Sequence, residues 1–199
     1  MSEIIIRYLS KSYNGKKVLD GLNFTFGPGF WLLQGRSGSG KTTLLRIIAG
    51  LDEPDSGSVS ETGGAMLFQE NRLVESRSGL RNVTSFFGRD SAAEALILAA
   101  ETGLDVADMK KPVRQLSGGM ARRIALIRLV MLVRKRNSDT VLLDEPFTGL
   151  DDATAKAVSV LFSREFAGKT VIIASHSDPD LLPPVSGTLI LPENDPDDA

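Results

Sequence analysis

Phe30-Trp31-Leu32-Leu33-Gln34-Gly35-Arg36-Ser37-Gly38-Ser39-Gly40-Lys41-Thr42-Thr43 is the stretch on which the reading of this chain turns. Residues 30–34 form an apolar run short enough for a buried strand, and the pattern from Lys41 predicts a helix closing near Gly50. Between them, residues 35–42 satisfy G-x-x-x-x-G-K-S/T in the strand, loop, helix order that the motif requires. Glycines let backbone N–H groups close around phosphate oxygens, and the helix N-terminus favours their charge. Lys41 then reaches the outer phosphates and the Thr42 hydroxyl suits magnesium. The loop predicts an ATP and Mg2+ site built from Gly35, Arg36, Ser37, Gly38, Ser39, Gly40, Lys41, Thr42 and Thr43.

Further along, the apolar strand Thr140-Val141-Leu142-Leu143 runs into Asp144-Glu145-Pro146. Two carboxylates at the mouth of a buried strand are costly without a purpose. With a phosphate loop in the same chain, Asp144 is the natural second magnesium ligand and Glu145 is placed to activate water. In Leu116-Ser117-Gly118-Gly119-Met120, two glycines ahead of a long helix offer a second anion-binding helix end, although a serine and glycines also make an ordinary cap. His176, the one histidine, follows the predicted strand 170–174 and so emerges at the same sheet edge, where it can sense the γ-phosphate. Gln69 follows the apolar stretch 65–68 and can reach magnesium or the attacking water. Tyr13 can stack on adenine.

Apolar alternation places strands at 4–9 and 18–26 around an Asn14-Gly15 turn. Ser91-Ala92-Ala93-Glu94 has the pattern of a capping box opening a helix to about Thr102, with Gly103 as its left-handed cap. A helix from Ser117 to about Arg136 ends in the basic run Arg134-Lys135-Arg136, which suits a helix C-terminus. Asp151 or Asp152 then caps a helix that Gly168 ends, and residues 188–191 add a last strand. Strands alternating with helices argue for a parallel sheet covered by helices. Residues 193–199 read as a disordered acidic tail.

Composition narrows the function classes. With 199 residues, one ATP-binding domain over residues 1–192 is the default. The formal charge of −2 gives no basic field for nucleic acid, and the absence of cysteine excludes disulfides and thiolate chemistry. The N-terminus lacks the apolar core of a signal peptide, and no run approaches the ~20 apolar residues of a membrane helix.

In order, Tyr13, the loop 35–42, Gln69, Leu116-Ser117-Gly118-Gly119-Met120, Asp144-Glu145, Thr148-Gly149-Leu150-Asp151 and His176 resemble the ATP-binding subunits of ABC transporters along nearly the whole chain. The resemblance implies an α/β P-loop NTPase with a parallel core sheet, an antiparallel β subdomain and a small helical subdomain at roughly 71–115. It also implies a head-to-tail homodimer or pseudo-dimer, each ATP lying between one subunit's P-loop and the other's Ser117, Gly118 and Gly119. Integral membrane permease subunits, and a solute-binding protein, are the further partners implied, with the chain on the cytoplasmic face of the membrane. Met120 in place of the family's usual Gln, and Phe68-Gln69-Glu70-Asn71-Arg72-Leu73, look like the nitrate, sulfonate and taurine importers; Ser177 departs from an Asp the family often has. Two rivals stay in view: an ABC-type ATPase acting on DNA or ribosomes, and a P-loop kinase or switch.

Overall fold

The computed structural model describes residues 3–60, 62–176 and 178–192. It opens with β1 (Ile4–Tyr13) and β2 (Lys16–Phe26), an antiparallel hairpin turned by Asn14 and Gly15 at φ 51° and 81°. Both residues have the positive φ that the tightest hairpin turns need. The strands continue beyond the apolar alternation because backbone pairing runs on through polar Lys11, Ser12, Lys16 and Lys17.

β3 (Gly29–Gln34) leads through the glycine loop into α1 (Lys41–Ile48), and β4 (Ser56–Val59) and β5 (Ala65–Leu67) follow. Three helices come next: α2 (Gly79–Phe87), α3 (Ala92–Glu101) and α4 (Val106–Lys110). The long α5 (Gly118–Arg136) then precedes β6 (Thr140–Asp144), α6 (Asp152–Glu165), β7 (Thr170–Ala174) and β8 (Val185–Ile190).

One sheet has the order β2-β1-β4 with antiparallel pairs, and the other has the order β5-β6-β7-β3-β8 with every pair parallel. The parallel sheet is buried on both faces, and its side chains alternate between two cores as period-2 geometry dictates. Leu32, Val141, Leu143, Val171 and Ile173 face α5 and α6. Leu33, Leu142, Ile172 and Ala174 face α1 and the hairpin, where Ile4, Ile6, Phe26, Leu44 and Ile48 close the layer. Each such buried aliphatic side chain contributes about 1.5–3 kcal/mol of transfer free energy, so this layering is the main source of the fold's rigidity.

Two local expectations change. Ser91 does not cap α3: it sits in the right-handed helical region and its hydroxyl donates to the Gly88 carbonyl, inside a 3-10 turn spanning Arg89–Ser91. Glu94 is thereby free to accept from Arg134, whose guanidinium also grips Glu165 through two 2.7 Å bonds. The basic end of α5 therefore ties α3 to α6 as well as complementing its own dipole. Helix α5 is also more deeply buried than the single apolar face of Ile124, Leu126, Ile127, Val130 and Met131 predicts, with Ala121, Ala125, Leu129 and Val133 enclosed besides. The expected acidic tail lies outside the described residues.

Candidate functional site

The strand order brings distant sequence segments to one edge. β6, β7 and β3 are consecutive neighbours, with Asp144 paired to Ala174 and Ala174 paired to Leu33. The glycine loop after β3, Asp144 and Glu145 at the end of β6, His176 after β7 and Gln69 after β5 all emerge at the carboxyl ends of parallel strands, where open α/β sheets place ligands. Between them lies a cleft of about 610 Å3, lined by Val18, Ser37, Gly38, Gly40, Lys41, Thr42, Thr43, Gln69, Asp144, Glu145, Thr148 and His176.

The loop's shape follows from its glycines. Gly40 stands at φ 94° as the N-cap of α1, and a Cβ there would lie 2.9 Å from the Val18 carbonyl. Lys41 is buried and folds back onto the loop, its Nζ donating to the carbonyls of Gly35 at 2.7 Å and Arg36 at 3.0 Å and lying 3.1 Å from His176 Nε2. Burial holds this ammonium below its ordinary pKa, opposed by the charges of Glu145 and Asp144. The Ser39 hydroxyl inside the loop is buried with no hydrogen-bond partner. A desolvated hydroxyl of that kind is costly unless a ligand satisfies it.

Across the cleft, Thr42 Oγ1 donates to Asp144 Oδ2 at 2.8 Å. Asp144 is buried, and this burial raises its pKa against the opposing effects of Thr42 and Arg122. Glu145 adopts φ 49°, a left-handed conformation that a glutamate takes only under constraint. Its amide donates to the Ala174 carbonyl at 2.8 Å, and its carboxylate lies 3.4 Å from the His176 amide and 3.8 Å from His176 Nε2. The base candidate and the histidine therefore face one another over the loop lysine.

Other expected site residues lie outside this cleft. The Tyr13 phenol donates to Asp52, while Lys11 stands over its ring at 5.3 Å, so the ring is held at the hairpin end beside α1. Ser117 caps α5 by accepting from the Met120 amide at 3.2 Å, and Ser117 and Gly118 are exposed on another part of the surface. The adjacent glycines differ in kind. A Cβ on Gly119 would lie 2.6 Å from the Gly149 carbonyl, whereas one on Gly118 would meet nothing within 4 Å.

Sequence reasoning did not single out Val18 in the cleft or Arg122 beneath it, and it gave Thr148 only as part of the stretch Thr148-Gly149-Leu150-Asp151, without a role in the site. Arg122 is 2% exposed and its guanidinium donates to the carbonyls of Phe68, Gln69, Asp144, Glu145 and Pro146 and to Asn71 Oδ1, at 2.7–3.2 Å. Burial pulls it down to about 10, so it stays charged at neutral pH. The local signal was weak, because Arg122 stands beside Arg123 near the start of α5.

A glycine loop opening a helix, a lysine aimed into it and a hydroxyl–carboxylate pair at the end of the next strand but one define a P-loop nucleotide-binding protein. Within that class, residues 19–148 match the family model described as ABC transporter, and the chain belongs to that family. It is 45% identical over 154 residues to the aliphatic sulfonates import ATP-binding protein SsuB of Frankia casuarinae, a match covering 76% of this chain and 49% of the relative. It is 40% identical over 174 residues to SsuB 1 of Rhodococcus jostii, covering 82% of this chain and 69% of the relative. The chain thus spans only part of the length of the curated relatives it matches. Among solved structures, the dimeric bacterial ABC transporter cassette MJ0796 superposes with a TM-score of 0.82 at 25% identity, covering 94% of each chain. The post-hydrolysis dimer of the same cassette, bound to ADP and Pi, superposes with a TM-score of 0.79 at 25% identity and the same coverage.

Proposed function

We propose that this chain binds ATP with Mg2+ and hydrolyses it as one half of a dimeric motor that drives solute import through separate membrane-spanning subunits. The observation that carries this reading is the division of features suited to phosphate between two separate places on the chain: the cleft at the sheet edge, and the exposed end of α5. Gly118 needs neither a positive φ nor space within its own chain. A glycine there is explained by close approach from outside, which is what a phosphate held by a second copy would require. The dimeric states of the solved relatives support the same arrangement.

In the cleft, Lys41 would exchange its loop carbonyls for β- and γ-phosphate oxygens, and loop N–H groups would hold the rest of the phosphate chain. Thr42 and Asp144 fit a magnesium ion, because this small cation takes one or two protein oxygens and completes its shell with phosphate and water. When bound, that ion neutralises phosphate charge. Glu145 accepts the proton of the attacking water as its oxygen bonds to the γ-phosphorus and the β–γ bridging bond breaks, giving ADP and phosphate. His176 donates to the γ-phosphate, Gln69 positions the water or completes the magnesium shell, and Tyr13 stacks on adenine.

No helix among the described residues is long and apolar enough to cross a membrane. On this reading the chain docks on the cytoplasmic face of its membrane-spanning partners. A groove of about 320 Å3 fits such a partner: Phe86, Phe87 and Leu132 give it an apolar bed, and Arg72, Arg128 and Arg136 suit an acidic residue on a permease helix. One wall is Phe68, Glu70, Asn71 and Arg72, the segment from which Gln69 reaches the nucleotide cleft. The relatives' names support import, with an aliphatic sulfonate as the cargo class; delivery by a solute-binding protein completes the proposal. Purification tests the reading: the chain should copurify with an integral membrane protein and gain ATPase activity from it, whereas copurification with nucleic acid or ribosomes would overturn it.

A further inference from the structure

Arg122 is charged and buried, yet every acceptor it uses is an amide carbonyl rather than a carboxylate. A desolvated guanidinium without a hydrogen-bonded anion is expensive, so its retention calls for a task that apolar packing cannot perform. Its bonds join three segments. Nη1 holds Phe68 O at 2.8 Å, Gln69 O at 3.1 Å and Asn71 Oδ1 at 3.2 Å. Nη2 and Nε hold Asp144 O at 2.8 Å, Glu145 O at 2.7 Å and Pro146 O at 3.2 Å. The arginine itself rides on α5, just over one turn from Ser117.

The bond to Glu145 O falls on a residue held in the left-handed region at φ 49°. Such a conformation persists only where its surroundings impose it, and Arg122 grips the carbonyls on both sides of the Glu145 amide nitrogen and α-carbon. A rigid helix carrying a rigid planar fork also moves both loops together: a shift at the N-terminus of α5 displaces Gln69 and Glu145 in concert.

We propose that Arg122 is a positioning residue that couples the two nucleotide sites of the dimer, setting Glu145 and Gln69 of one site according to whether Ser117–Gly119 of the same copy has engaged the nucleotide held by the other. The inference rests on the shared-site dimer proposed above. Coupling of this kind needs a contiguous element biased by both sites, and α5 with its guanidinium supplies one.

Arg122→Lys keeps the charge without the fork, and Arg122→Gln keeps two donors without the charge. In each, kcat should fall at least about tenfold with KM within about threefold of wild type, because ground-state binding by the loop is untouched. The Hill coefficient for ATP should fall from above about 1 in the wild type to about 1. Rates are taken per folded molecule, counted by stoichiometric nucleotide binding. Should neither variant fold, Asn71→Ala, which removes one acceptor of the same fork, should lower kcat by about two- to fivefold at unchanged KM. Wild-type turnover per molecule that does not depend on protein concentration would refute the shared site itself. Concentration-dependent wild-type turnover with unchanged kcat and Hill coefficient in the folded variants would leave the shared site standing and overturn the coupling.

Discussion

Replacing Gly118 with alanine separates what this chain needs for itself from what it offers to a partner. Gly118 is the first residue of α5, lacks a positive φ, and would present its new methyl to open space with no atom of the chain within 4 Å. Alanine restricts the unfolded chain without straining the native one, so stability should be unchanged or rise by up to about 1 kcal/mol. For a domain of this size that is a melting temperature raised by roughly 0–4 °C. Nucleotide affinity of the isolated subunit, set by residues 35–43, should stay within about twofold of wild type. Turnover should nevertheless drop, because a methyl where a partner-held phosphate must approach costs of order 1–3 kcal/mol, or about five- to 150-fold in rate. Gly119→Ala is the built-in contrast. Its Cβ would lie 2.6 Å from the Gly149 carbonyl, an overlap that should cost about 1–3 kcal/mol and lower the melting temperature as well as the rate. Calorimetry, nucleotide titration and steady-state phosphate release on both variants make the comparison. Gly118→Ala with wild-type turnover, or with stability lost as in Gly119→Ala, would refute the argument.

Glu145→Gln should retain ATP binding while phosphate release falls by about two to four orders of magnitude, with the ATP-bound protein eluting as a dimer in size-exclusion chromatography. Tyr13→Ala should weaken ATP binding severalfold yet leave inorganic tripolyphosphate binding unchanged in calorimetry, since only the base would stack on the ring. Two hydrogen bonds from Arg134, with a further one from Arg164, hold Glu165 below its ordinary pKa of 4.5 despite its burial. A depressed carboxylate stabilises the fold above its unfolded value, and that contribution disappears as pH falls through the folded one. Glu165→Gln should therefore melt lower than wild type at pH 7, and the gap should close as the pH falls below the carboxylate range.

The α/β architecture was legible because each of its signals is local. The Asn14-Gly15 turn, the run into Gly35, the cap at Ser117 and the glycines after helices act through backbone conformations a few residues wide. Strand β4 was not legible: Ser56-Gly57-Ser58-Val59 has no apolar alternation, and it is a strand because β1 offers it an edge. The Ser91 capping box failed for a related reason: the Arg89–Ser91 turn gives Ser91 right-handed helical backbone angles, so its hydroxyl donates back to the Gly88 carbonyl and accepts from no amide of α3. In the site, the residues with distinctive local chemistry, Lys41, Thr42, Asp144, Glu145 and His176, could be named and do converge. Arg122 could not, because its role depends on loops at 68–71 and 144–146 that only the folded sheet brings beside α5.

Complementation between two inactive copies tests the shared site most directly. Lys41→Ala removes the loop's grip on phosphate, and Ser117→Arg blocks the exposed end of α5. A dimer of either variant has no complete site, while a mixed dimer has one, formed by the loop of the Ser117→Arg copy and the intact helix end of the Lys41→Ala copy. With random pairing, half the dimers are mixed and each keeps one site of two, so an equimolar mixture of the two inactive proteins should recover up to roughly a quarter of wild-type turnover. No recovery on mixing, or wild-type turnover by Ser117→Arg alone, would contradict the account.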